Sequence, residues 1–147
     1  MKSQHLCIPL IALFLFGCTS APQKPGADAA LPPCGSLPNC VNSDSGKGGQ
    51  AIAPLQATAG QWEELKQWLA TQDNWTIATD SGDFVQAVVK TPLMRFRDDV
   101  QLLFDERAGV IQVRSSSRLG ISDMGTNRRR VESLRDHLSK EPAIAAP

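Results

Sequence analysis

The chain has 147 residues, 41% of them hydrophobic, and its 15 basic side chains balance 15 acidic ones to a net charge of zero. That balance gives no general attraction for nucleic acid, and the length suits one domain with one hydrophobic core. His5 and His137 are the only histidines, so no metal ligand set is expected, nor any other cofactor.

Lys2 gives the chain a basic start, and Leu6 to Phe16 is almost wholly apolar apart from Cys7 and Pro9. The run is shorter than the roughly 20 residues a membrane-crossing helix needs, and matches the apolar region of a signal peptide. Its end, Leu15-Phe16-Gly17-Cys18, resembles the bacterial lipobox, although Phe16 is bulkier than the usual residue there. The resemblance implies diacylglyceryl transfer to Cys18, cleavage in front of it and acylation of the new amine. Two or three chains anchor stably, since each buried methylene contributes about 0.8 kcal/mol. Thr19, standing where an aspartate would favour inner-membrane retention, leans toward an outer membrane, facing the periplasm, if the host has two. The alternative is an ordinary signal peptide with Cys18 incidental. Residues 1–17 thus read as a lipoprotein signal peptide. Residues 18–33, with Pro22, Pro25, Pro32 and Pro33, read as a flexible tether to the membrane.

The expected domain spans 34–141. Cys34 and Cys40 lie six residues apart in CGSLPNC, and an exported chain meets an oxidising compartment, so a disulfide is expected. The glycine-rich stretch 44–49 (DSGKGG) lacks the spacing of a phosphate loop and reads as a flexible turn. Thr58 and Gln61 form a capping-box pattern, after which Trp62, Leu65, Trp68 and Leu69 fall on one helical face. Short strands follow at 75–79, 84–89, 100–105 and 110–117, separated by turn-rich stretches. Val131, Leu134 and Leu138 return to helical spacing, with Asp123 or Asn127 as cap, Pro142 as stop and 142–147 as a loose tail. The fold class expected is α+β: about four short, mostly antiparallel strands with an N-terminal and a C-terminal helix packed on the sheet.

Polar residues concentrate in RFRDDV (95–100) and in 113–135. Several stretches here and upstream carry a family resemblance: Pro38-Asn39-Cys40-Val41 with Ser43; Arg95-Phe96 with Asp98-Asp99; Arg114-Ser115 with Ser117-Arg118 and Gly120; Ser122-Asp123 with Gly125, Asn127-Arg128-Arg129 and Val131. On these the chain resembles the bacterial DUF1499 family over about 34–138, with Asn42 where a serine is expected. The resemblance implies a protein often secreted or membrane-attached, with no settled activity and no catalytic residues to carry over.

Read directly, the polar residues allow three accounts. Arg95, Arg97, Arg114 and Arg118 can pair with Asp98, Asp99 and Asp123 in a structural ion-pair network. Alternatively Arg114, Ser116 and Arg118 on one strand face, with Asn127, Arg128 and Arg129 at a helix start, receive a small anion or an acidic cell-wall fragment. A carboxylate-dependent hydrolase needs two carboxylates across a cleft, and adjacent Asp98 and Asp99 point to opposite faces of a strand. The function expected is that of a lipid-anchored envelope domain with a non-catalytic binding or structural role.

Overall fold

Four strands between residues 75 and 117 form an antiparallel meander that pairs in chain order. A computed structural model describes residues 30–140; the leader, Cys18, the tether before residue 30 and the tail beyond 140 lie outside the described residues. In chain order the elements are β1 (Cys40–Asn42), β2 (Leu55–Gln56), α1 (Ala59–Ala70), β3 (Trp75–Asp80), β4 (Phe84–Lys90), β5 (Arg97–Asp105), β6 (Val110–Ser117) and α2 (Thr126–Lys140). The sheet order is β1-β6-β5-β4-β3, and β2 also pairs with β6, so two short strands share one edge of β6.

This corrects the expected arrangement of about four strands between an N-terminal and a C-terminal helix. Among the described residues six strands are present, and the first helix there follows β1 and β2, in mid-chain. Strands of three and two residues are too short to display a period of two, and they form because β6 offers an unpaired edge.

Both helices cover one face of the sheet. Trp62, Leu65 and Leu69 of α1 and Val131, Leu134 and Leu138 of α2 bury against Val85, Ala87, Val100, Leu102, Ile111 and Val113. The capping box forms as expected: Gln61 N–H donates to Thr58 Oγ1 at 3.2 Å, and Thr58 N–H to Gln61 Oε1 at 3.0 Å. Trp62 stacks on Phe104 at 5.7 Å and donates its indole N–H to Gly82 O at 2.7 Å, which ties α1 to the β3–β4 turn. Leu65 is fully buried, so its truncation to alanine costs about 2–5 kcal/mol.

On the opposite face Leu31 packs with Phe84 and Leu103. The Cys34–Cys40 disulfide forms, with Cα atoms 5.8 Å apart, and fixes the loop that enters β1. The stretch after β1 is tight. Asn42 is buried, accepts from the N–H groups of Asp44 and Ser45, and donates to Pro32 O at 2.9 Å. A Cβ on Gly46 would stand 2.2 Å from Asn42 O and 2.5 Å from Gln50 O, so only glycine fits there.

Candidate functional site

At the end of the sheet where β4 turns into β5 and β6 runs toward α2, the helices and strands diverge and leave a cleft of about 770 Å³. Its inner wall includes Trp68 and Trp75, and its floor Asp98, Ser117 and Arg130. Two loops form its mouth, 91–96 between β4 and β5 and 118–125 between β6 and α2. Five of the seven exposed large apolar residues among the described residues line it: Leu93, Met94, Phe96, Leu119 and Met124. Ile121 is exposed on the second of these loops.

Hydrogen bonds fix both loops. Thr91 accepts Arg95 N–H through its carbonyl and Phe96 N–H through its hydroxyl, while its own N–H donates to Phe96 O at 2.8 Å. Asn39 donates its side-chain amide to Gly120 O at 2.7 Å. Arg95 (φ 53°) and Met124 (φ 51°), the only non-glycine residues with left-handed backbone among the described residues, sit one in each loop. Such positions cost of order 1–3 kcal/mol and collect at ligand sites and switches.

The floor is polar and mostly satisfied. Asn127, wholly buried in the first turn of α2, donates its amide to Asn39 O, Ser117 Oγ and Asp123 Oδ2 and accepts from Ser115 Oγ at 2.7 Å. Arg130 Nη1 donates to Ser115 Oγ at 2.8 Å and Asn127 Oδ1 at 2.6 Å; Arg130 Nη2 donates to Asp98 Oδ2 at 2.6 Å. The Arg130 and Asp98 side chains are 9% and 2% exposed, so this ion pair is desolvated. Asp98 Oδ1, also buried, has no hydrogen-bond partner among the described residues.

Other anticipated residues fall elsewhere. Asp99 faces away from the helices, where Arg118 binds it bidentately at 2.8 and 2.9 Å and Gln86 donates to it at 3.2 Å. These bonds raise the Arg118 guanidinium pKa despite partial burial. Arg114, on that same outer face, contacts Gln101 Oε1; burial lowers its pKa, against the charge of Asp99. Arg95 and Arg97 are exposed, with no carboxylate partner among the described residues. Asp123 accepts from the N–H groups of Gly125 and Asn127 at the start of α2. Burial pushes the Asp123 carboxyl up, yet the bonds from Asn127 and Gly125 outweigh it and hold the pKa below the usual range.

The six residues considered for anion binding are not brought together. Arg114, Ser116 and Arg118 lie on the strand face turned away from the helices, whereas Asn127 is packed between α2 and the sheet. Arg128 donates to Gly49 O and Ala51 O, and Arg129 to Met124 O and Thr126 Oγ1. Among the described residues no group of three or more His, Cys, Asp or Glu side chains is placed to hold a metal. The sequence reading passed over Arg130 and the apolar loop residues. The signal for Arg130 was present: extending the Val131, Leu134, Leu138 stripe one turn back reaches Asn127 and Arg130.

A family model described as a protein of unknown function, DUF1499, matches residues 30–138. The chain belongs to the DUF1499 family. No curated protein and no solved structure matches it. In this DUF1499 chain three of the four stretches that carried the resemblance converge on one side chain. Asn39 from the first, Ser115 and Ser117 from the third and Asp123 from the fourth all bond Asn127, directly behind the cleft floor.

Proposed function

We propose that this DUF1499 protein is a lipid-anchored, non-catalytic binding domain of the bacterial cell envelope. In this reading its cleft holds an acyl-chain amphiphile whose head group offers an N–H or O–H donor. Acylated Cys18 tethers the domain, facing the periplasm, at the outer membrane where the host has two. The observation that carries the reading is the cleft itself: exposed apolar residues gathered at its mouth over a buried Asp98–Arg130 floor with one unpartnered carboxylate oxygen. Its volume of about 770 Å³ lies in the range of small-molecule sites, about 300–1,000 Å³. Asp98 Oδ1 has essentially no accessible surface, so a ligand donor would reach it only with a shift of the floor side chains, and would then supply the bond the buried carboxylate lacks.

A non-catalytic role is supported by how the carboxylates are used. Arg130 holds Asp98, Arg118 holds Asp99 on the opposite face, and Asp123 caps α2 with a lowered pKa, the reverse of what a general acid requires.

Energy transfer from Trp68 and Trp75 to the apolar probe 1-N-phenylnaphthylamine tests the cleft. One saturable site is expected, weakened about tenfold or more by Leu119→Glu with Met124→Glu, both exposed and tolerable to the fold. Absence of saturable transfer, or equal transfer in the variant, refutes it. The mass of the mature N-terminal peptide tests the anchor separately, and an unmodified Cys18 removes it.

A further inference from the structure

The tips of the two loops that form the cleft mouth carry a second feature. Leu93, Met94, Leu119, Ile121 and Met124 are between 64% and 89% exposed, all at one end of the molecule. Cations surround them. Lys90 and Arg97 stand directly opposite each other on β4 and β5 at the base of the first loop, and Arg95 lies within it. Arg129 braces the second loop through Met124 O. None of these four has a carboxylate partner among the described residues. Like charges facing each other across a strand pair are destabilising. Exposed apolar tips ringed by unpaired cations match the anatomy of a surface that enters an anionic membrane interface.

We propose that this end of the domain docks on an anionic lipid surface. The apolar tips enter the boundary between head groups and acyl chains, and Lys90, Arg95, Arg97 and Arg129 meet lipid phosphates. The cleft then opens onto the bilayer. The tether does not prevent this orientation. Residues 19–30 reach about 40 Å when extended, against about 30 Å for the nine-residue β5.

Full-length protein reconstituted into vesicles of mixed anionic and zwitterionic lipid provides the test, read without any cleft ligand. Single variants Leu93→Trp and Met124→Trp report from the loops, and Ala108→Trp reports from the β5–β6 turn at the other end. The proposal expects the added emission at 93 and 124 to be quenched severalfold more than that at 108 by lipids brominated on their acyl chains. It expects this difference to fall with salt, and by about fivefold in surface partition for each cation removed, as in Arg95→Gln or Arg97→Gln. Equal quenching at both ends, no quenching at the loops, or indifference to anionic lipid each overturns it. Because the readout is depth in the bilayer, it fails or stands separately from probe binding in the cleft.

Discussion

Replacing Arg130 by methionine leaves Asp98 a buried carboxylate without its counter-charge. The two side chains are 9% and 2% exposed and meet at 2.6 Å, and Arg130 also donates to Ser115 and Asn127. Breaking a buried pair from one side costs about 3–5 kcal/mol. Domains of this kind have about 5–15 kcal/mol in total. At about 4 °C or more per kcal/mol, the melting midpoint should fall by at least about 12 °C. Urea unfolding followed by tryptophan emission and by far-UV circular dichroism measures the loss directly. The slope should stay unchanged, because the surface exposed on unfolding is the same. Lys66 and Glu63 supply the comparison: they lie 2.9 Å apart, but Glu63 is 60% exposed, so Glu63→Ala should cost no more than about 0.5 kcal/mol. In the double variant Asp98→Leu, Arg130→Met, apolar groups replace both charges, and much of the loss should return. A cost below about 1 kcal/mol for Arg130→Met, or a double variant as unstable as the sum of the singles, refutes the reasoning.

Three further outcomes follow from single contacts. Asp123 has a lowered pKa in the fold, so its contribution is present above the unfolded value of about 3.9 and is lost as pH falls below it. Asp123→Asn, which loses the charge at the start of α2, should therefore be less stable by about 1 kcal/mol at pH 7, and the difference should shrink in urea titrations as pH falls below about 3.9. Gly46→Ala forces a backbone shift around Asn42 O and Gln50 O and should cost more than about 2 kcal/mol in the same assay, whereas Gly35→Ala, with open space at its Cβ, should cost little. Removing the Cys34–Cys40 bridge by paired alanines should cost about 2 kcal/mol, the chain-entropy value for so short a loop, read as the difference in midpoint without reductant.

Local signals carried part of this structure. The Thr58–Gln61 box and the Trp62, Leu65, Leu69 stripe are legible because cap and period lie within a few residues of each other. The run 110–117 is legible because one face of its strand is buried and its side chains alternate, and 84–89 because it is a short, mostly apolar run buried on both faces. β1 and β2 are not, since both depend on the free edge of β6, between 54 and 76 residues further along. The site was the hardest part. Asp98 and Arg130 are 32 residues apart and meet only once α2 lies on the sheet. The expected ion-pair network grouped both aspartates, and their strand, as its alternation requires, sends Asp98 under the helices and Asp99 to the other face. The apolar residues of the two loops follow neither helical nor strand period, so their clustering at one end becomes visible only in the fold.

The central claim is that the cleft holds an amphiphile. Burying roughly ten methylenes at about 0.8 kcal/mol each contributes about 8 kcal/mol, from which the cost of association and of ordering the chain is subtracted. Native mass spectrometry of the full chain, released from the membrane in mild detergent, reads the occupant directly. The account predicts one bound amphiphile on the wild type, lost from the folded Leu119→Glu, Met124→Glu variant. Bare wild-type protein, or the same adduct on both, would contradict it.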